Sequence, residues 1–198
     1  MNITQKKQLI DLVNFSFKFA GTNRVTMFPD GKRFESDTDH TVTLSLTAVS
    51  VASILYPELD QNLILRFALV HDLLEAHTGD YDAKFMSDEM RQEKQEAEDD
   101  ALEKIQSDFS EFGWIADTIQ QYENLSTKEA RFVRLMDKCQ PELSNILNKN
   151  TPLKKQNIDV ASIYEHFTQK RKSYRTLFNE FPEMESVFDW AQEEMMKN

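Results

Sequence analysis

Ten residues, Gln61 to Val70 (QNLILRFALV), run straight into His71-Asp72-Leu73-Leu74-Glu75, and this junction limits the fold more than any other stretch. Leu63, Ile64, Leu65, Phe67, Ala68 and Leu69 make the run apolar almost all round, which reads as a helix buried among other elements. Asp60 is placed to cap its start and Gly79 to end it, so the expected helix continues through His71 and Glu75. His71 and Glu75 are four apart and Asp72 and Glu75 three apart, so their side chains share one face. An imidazole and two carboxylates on a nearly buried helix are costly to desolvate without a partner. A divalent metal ion would supply one. Taken alone, the same residues could be a helix end that meets solvent near Gly79.

The remaining chain supplies the helices that such a run must pack against. Glycine occurs four times and proline five times in 198 residues. That scarcity, with frequent Leu, Ala, Glu, Lys, Gln and Met, favours an all-α fold over a sheet with many tight turns. A first helix carries Ile10, Leu12, Val13, Phe15, Phe17 and Phe19 and ends near Gly21, with its aromatics expected in the core. From Thr22 to Asp39 the pattern breaks around Pro29, Asp30 and Gly31 and reads as an irregular loop holding Arg24, Lys32 and Arg33. A second helix follows the cap candidates Ser36, Asp37, Thr38 and Asp39. Its expected buried stripe is Val42, Leu46 and Val49, with His40 in the first turn.

Ser87 to Ile105 is densely charged and reads as a solvated helix over a thin stripe of Met90, Ala97, Leu102 and Ile105. Phe109 to Tyr122, with Phe112, Trp114, Ile115 and Ile119, is another packing helix. Ser126 with Glu129 matches a capping box and opens a helix whose apolar side holds Ala130, Val133, Met136, Leu143, Ile146 and Leu147. From Thr151 on, Ile163, Phe167, Tyr174, Leu177, Phe178, Phe181, Met184, Val187, Phe188 and Trp190 read as cladding helices. No repeat or linker divides the chain. A single domain over 1–198 is expected, with a motif-bearing core at about 19–148 and cladding at about 151–198.

Charge and cysteine content narrow the function. A formal net charge of −11 argues against a nucleic-acid polymer or an anionic membrane surface as partner, though not against a small anionic substrate in a cleft. The single cysteine, Cys139, forms no internal disulfide, no stretch approaches the roughly 18 apolar residues of a membrane span, and Met1 to Lys7 has no signal-peptide pattern. These features lead to an expectation of a cytoplasmic protein.

Two more polar residues stand where apolar ones are expected. His40 lies in the first turn of its helix, and Asp137 falls on the apolar stripe four after Val133 and seven after Ala130. A buried aspartate is rare unless it is paired or bound to metal. Together His40, His71, Asp72 and Asp137 offer two nitrogens and two carboxylates from three helices. That donor set suits a divalent ion with positions left for water and a substrate oxygen, unlike the closed, cysteine-rich tetrahedron of structural zinc.

This order of residues resembles the HD-domain metal-dependent phosphohydrolases, whose signature is His…His-Asp…Asp. Arg33-Phe34-Glu35-Ser36-Asp37-Thr38-Asp39-His40 and Leu69-Val70-His71-Asp72-Leu73-Leu74-Glu75-Ala76-His77-Thr78-Gly79-Asp80 are similar to segments of the branch that contains the 5′-deoxynucleotidases. So is Glu123-Asn124-Leu125-Ser126-Thr127-Lys128-Glu129-Ala130-Arg131-Phe132-Val133, leading into Leu135-Met136-Asp137-Lys138.

The resemblance implies an HD-type helical bundle with additional C-terminal helices. It implies one divalent metal ion (Mn, Co, Ni, Fe, Mg or Zn) on His40, His71, Asp72 and Asp137. Glu75 would orient or deprotonate water or protonate the leaving oxygen, with Asp72 beside it in the chemistry. Arg24 would meet the substrate phosphate, Asp80 and Glu123 would lie near the sugar and the site wall, and Arg33 is a further substrate-binding candidate. His77 would be structural. The implied activity is removal of the 5′-phosphate from a deoxynucleoside monophosphate by a homodimer. The alternatives are triphosphate release from a dNTP and a low-turnover nucleotide-sensing module. The branch's tryptophan soon after the loop arginine is absent, since Arg24 is followed by Val25, Thr26 and Met27, and the loop is longer.

Overall fold

The computed structural model of the chain describes residues 1–80, 87–155 and 160–197. Lys84, a further cation after the Gly79-Asp80 turn in the sequence, and the side chains of Ile163 and Phe167 lie outside the described residues. Helix α1 (Ile3–Ala20) is capped by Asn2 and stops at Gly21. A hairpin of β1 (Asn23–Met27) and β2 (Phe34–Ser36) follows, then α2 (Asp37–Leu55), α3 (Gln61–Val70) and the single turn α4 (Glu75–Thr78). The charged helix α5 (Asp88–Asp108), a 3₁₀ turn at Ser110–Phe112, α6 (Trp114–Glu123) and the long α7 (Lys128–Leu147) come next. Helices α8 (Thr151–Lys155), α9 (Val160–Ser173), α10 (Arg175–Glu180) and α11 (Glu183–Met196) complete the all-α fold. Among the described residues, no helix is long and apolar enough to cross a membrane.

The expected irregular loop from Thr22 to Asp39 is in fact this antiparallel hairpin, with Asn23 opposite Ser36 and Met27 opposite Phe34. Its strands are five and three residues long and carry Arg24 and Glu35, too short and too charged to show a clear alternation. The turn is closed by Phe28 N–H donating to the Arg33 carbonyl and Gly31 N–H donating to the Phe28 carbonyl, with Gly31 at φ +68°. A side chain there would be strained, so the Asp30-Gly31 pair fixes the turn.

Two apolar clusters meet along α3. One joins Leu44, Ala48 and Ala52 of α2 to Ile64, Phe67 and Ala68, to Phe132, Val133 and Met136 of α7, and to Phe178, Phe181, Met184 and Phe188. The other joins Phe15 and Phe19 of α1 to Val70, Leu74, Ile105, Phe109, Ile115 and Ile119. Small Ala48 and Ala52 let α3 come close to α2, and of the expected stripe Val49 alone packs against the core. Val42 and Leu46 face out at 54% and 67% exposure, while Asp37, His40, Thr41 and Leu44 face in. That helix is apolar on several sides, so periodicity fitted two stripes and packing chose between them. For the same reason Phe17 is exposed although Phe15 and Phe19 are core, and Leu65 and Leu69 project from α3, so the run is not buried all round. Met90, Trp114, Leu147 and Trp190 are likewise exposed.

The N-cap of α7 is Thr127, whose side chain accepts from the Ala130 N–H, while the expected cap Ser126 donates its hydroxyl to the Gln121 carbonyl. Leu125 at φ +48° turns the chain out of α6 and shifts the start of the helix by one residue.

The C-terminal helices close over the far side of α7. Phe181 stands edge-on to Tyr56 and Phe132, with ring centroids 5.3 and 5.4 Å away, and Phe178 meets Phe188 edge-on at 5.1 Å. Phe181→Ala is expected to lower the stability of the whole chain by about 3–5 kcal/mol, the usual result of emptying such a site. Chemical denaturation followed by tryptophan fluorescence and by circular dichroism checks this. Coincident, destabilised transitions are expected, and a separate early transition of the C-terminal helices would contradict a shared core.

Candidate metal centre

The site is assembled where α2 begins, α3 ends and the middle of α7 passes between them. Ser36 and Asp39 form a capping box at the start of α2, each side chain accepting a backbone N–H of the other. That box places His40 one turn inside the helix, fully buried. Arg33 holds the box from outside, with Nη1 2.5 Å and Nη2 3.2 Å from the two Asp39 oxygens and its guanidinium 3.8 Å over the Phe28 ring. Hydrogen bonding from Arg33 keeps the Asp39 carboxyl down at about 2.

The helix expected to run unbroken to Gly79 stops at Val70. Residues 71–74 tighten into turns in which Leu73 N–H donates to Val70 and Glu75 N–H to Asp72, before α4 forms one more turn. Bonds three residues apart stack side chains at i and i+3 almost directly above one another. Asp72 and Glu75 therefore share a direction, and Gly79 (φ +77°, ψ 166°) then turns the chain back.

The Nε2 atoms of His40 and His71 lie 3.1 Å apart. His71 donates Nδ1–H to the Ala68 carbonyl at 2.8 Å. His40 Nδ1 is 2.7 Å from Gln140 Oε1, and Gln140 spends its amide hydrogen on Ser144 Oγ, so its oxygen is the end that accepts from His40. Both inner nitrogens are then bare lone pairs facing each other, which repel unless a cation joins them. Asp72 Oδ2 is 2.9 Å from His71 Nε2 and 3.7 Å from His40 Nε2. Asp137 Oδ1 is 3.1 Å from His40 Nε2 and 3.9 Å from His71 Nε2. Ligands at right angles and about 2.1 Å from a shared ion stand about 3.0 Å apart, so the four residues fit a divalent cation.

Electrostatics point the same way. Burial would lower His71, but Asp72 and Asp137 outweigh it and raise it. Burial would raise Asp137, but Lys138, with Nζ at 2.6 Å, and both histidines bring it well below the carboxylate range. Asp72 is also lowered against burial, by His71 and Arg24. The cluster asks for positive charge, which a metal ion supplies more fully than a proton. Glu75, in contrast, is pushed up to about 10 by burial and by neighbouring Asp72 and Asp80.

The hairpin delivers Arg24, whose Nη1 is 2.5 Å from Asp72 Oδ2 and 4.0 Å from Glu75 Oε2. Asp80 accepts from the Val25 N–H at 3.1 Å and so ties the hairpin to the chain beyond Gly79. Glu123 lies at the exposed end of α6 and accepts from Arg134, which stacks on the Tyr122 ring beside His71. His40, His71, Asp72, Asp137, Glu75 and Arg24 are thus brought together, Asp80 and Glu123 border them, and Arg33 is engaged with Asp39 and Phe28. His77 turns away to Lys18 and Phe15.

Sequence reasoning passed over Asp37, Lys138 and Gln140. Gln140 and Ser144 sit on the buried face of α7, three and seven residues after Asp137, which was a readable signal. The Gln140–Ser144 chain ends on buried Glu35 of the hairpin, where Ser144 Oγ donates to Oε1 at 2.8 Å. Pro141 lacks the N–H that would bond the Asp137 carbonyl, so one helical hydrogen bond is missing there.

The HD-domain family model matches residues 19–186, which extends past the motif core into α11. No curated protein matches the chain in sequence. Among solved structures, one named a predicted metal-dependent phosphohydrolase from Magnetospirillum magnetotacticum MS-1 superposes with a TM-score of 0.71 at 20% identity, covering 98% of each chain. A conserved hypothetical protein from Pyrococcus furiosus gives 0.60 at 19% identity, and a protein from Pyrococcus horikoshii OT3 gives 0.62 at 21%. Each of these covers 93% of this chain and 99% of its own. These likenesses show a shared fold.

Gln140→Ala is expected to weaken metal binding by roughly 10- to 100-fold while the fold is kept, because His40 loses the acceptor that fixes its tautomer. Titration with Mn²⁺ followed by calorimetry reads this directly. An unchanged affinity would remove Gln140 from the support of the site.

Proposed function

The chain belongs to the HD-domain family, and on that premise we propose that it is a metal-dependent phosphohydrolase that removes the 5′-phosphate from nucleoside monophosphates, with a deoxyribose preferred. The observation that carries this reading is the pair of imidazole Nε2 atoms 3.1 Å apart, flanked by Asp72 and Asp137, with Arg24 and Glu75 at the edge. His40, His71, Asp72 and Asp137 would hold the ion. When bound, it supplies Lewis acidity that lowers the pKa of water and polarises a phosphoryl oxygen. The cofactor is one divalent ion per chain. Arg24 offsets negative charge on the phosphoryl oxygens. Glu75, one turn after the His71-Asp72 pair, holds the proton that passes between water and the leaving oxygen. Lys138 keeps Asp137 ionised and turned inward, and Asp80 and Glu123 form the wall on the nucleoside side.

Monophosphate is favoured over triphosphate by charge. Among the described residues, Arg24, Lys138 and Arg134 approach the cluster, and each already contacts a carboxylate. A polyphosphate tail would need Arg33 to leave Asp39. The net charge of −11 also keeps nucleic-acid polymers and anionic membranes out of the proposed partners, and we place the protein in the cytoplasm.

A homodimer is part of the same proposal. Ile10, Val13 and Phe17 of α1, Val42, Leu46 and Ile54 of α2, and Leu65 and Leu69 of α3 are exposed large apolar residues on neighbouring helices. Such a concentration suits burial against a second copy. Sedimentation equilibrium is expected to give twice the chain mass, and a monomer at micromolar concentration would overturn the assignment.

The activity is tested by assaying dAMP, dTMP and dCMP against their triphosphates with several divalent metals, identifying each released product. Inorganic phosphate from monophosphates, abolished by chelation, is expected. Glu75→Gln is expected to keep fold and metal but lose roughly 100-fold or more in kcat. Triphosphate release at higher kcat/KM would replace the substrate while leaving the metal site in place, and a fully active Glu75→Gln would remove that residue from the chemistry.

A further inference from the structure

Arg24 stands inside a carboxylate cluster that adjoins the histidine pair through Asp72. Asp37, Asp72 and Glu75 each bring an oxygen within 4.8 Å of the others, a spacing suited to a cation. The Arg24 Nη1 lies among them, 2.5 Å from Asp72, 3.7 Å from Asp37 and 4.0 Å from Glu75. Asp37 is the unusual member. Its side chain has no exposure to solvent, no N–H reaches either of its oxygens at hydrogen-bond distance, and its only hydrogen-bonding neighbour among the described residues is the Glu75 carboxyl. Helix capping does not account for it, because Ser36 and Asp39 already make both bonds of the capping box. A buried carboxylate that meets no N–H is costly unless a nearby positive charge compensates it, and Arg24, 3.7 Å away, is that charge.

We propose that Asp37 is the positioning residue for Arg24, and that the Arg24 guanidinium fills the Asp37–Asp72–Glu75 cradle in place of a second metal ion. The proposal rests on the reading of Arg24 as the phosphate-contacting cation. Asp72 is shared between the cradle and the metal site, so its hold on Arg24 weakens once its oxygen turns to an ion. Asp37 has no such second duty. From the first turn of α2 it keeps the guanidinium against the metal edge whether or not Asp72 is engaged. The hairpin alone would not do this, because Arg24 sits on a five-residue strand anchored near it by the Asp80–Val25 bond.

A cradle built for a guanidinium should accept a free one when the arginine is removed. Arg24→Ala is expected to lower kcat/KM for the best monophosphate by roughly 30-fold or more, the scale of losing a paired charge at a binding site. Guanidinium chloride at non-denaturing concentration should restore much of that activity, and urea at the same concentration should not. In Arg24→Ala/Asp37→Asn the restoration should fall by about tenfold or more, and Asp37→Asn alone should raise KM while leaving Mn²⁺ affinity at the histidine pair unchanged. Wild type should hold one Mn²⁺ per chain by elemental analysis.

An active Arg24→Ala would overturn the phosphate role of Arg24 and this proposal with it. An impaired Arg24→Ala that guanidinium fails to restore, or restores equally well without Asp37, would overturn the cradle while leaving the phosphate role intact. Two ions per wild-type chain would make the cradle a metal site and overturn the proposal as well. Should Asp37→Asn fold poorly, calorimetry of guanidinium binding to Arg24→Ala decides the matter, since absence of binding sinks the cradle.

Discussion

Four carboxylates and two imidazoles must leave water together for this fold to close, and everything near the centre answers that demand. Asp72 and Asp137 are nearly buried, Asp37 wholly so, and Glu75 almost so. Isolated charges in such a place would cost several kcal/mol each. The protein meets part of the demand itself, with Lys138 against Asp137 and Arg24 among Asp72, Asp37 and Glu75. What remains negative is concentrated where two imidazole lone pairs converge. A cation held by a cluster so arranged would couple its binding to the folding of the elements that contribute to it.

The scaffold orients each side chain of the cluster by a different local device. His40 is set by a capping box and a side-chain acceptor from α7, and His71 by the carbonyl one turn earlier in α3. Asp137 is set by Lys138 next to it, on a helix that lacks one hydrogen bond at the same residue because of Pro141. Because these devices sit on different elements, no single helix carries the geometry. The Gln140–Ser144–Glu35 chain runs from His40 back into the hairpin, so the strand pair that brings Arg24 is also fastened to the ligand side of α7. The His/Asp cluster and the hairpin that carries Arg24 are thereby locked into one frame.

The turns between Val70 and Glu75 show how packing shapes the chemistry. An unbroken helix would carry Glu75 around with the apolar face of α3. Tightening residues 71–74 instead lets Val70 and Leu74 join the second apolar cluster while Asp72 and Glu75 point together at the cleft. The break is therefore where the two halves of the core meet and where the polar site opens between them.

How much was legible follows from the range of each interaction. Most of the helices, the Asp60 cap and the placement of His40 and Asp137 are written in short-range pattern, because caps and stripes depend on residues within one or two turns, whereas the break after Val70 was not. Polar residues on apolar stripes betrayed the centre for the same reason. Which face of α2 is buried was not local information. Val42–Leu46 and Leu44–Ala48–Ala52 are both apolar rows, and only the close approach of α3 to the small alanines separates them. The hairpin was hidden because two short charged strands gain their stability from each other and from Glu35 reaching Ser144, 109 residues away. Asp37 looked like one more cap candidate in a run of them. The sequence by itself determined that this chain is helical and that His40 and Asp137 stand on helices beside apolar residues. Only the tertiary structure decided which cation each carboxylate meets, because charge pairing is settled by distances across elements that no local pattern contains.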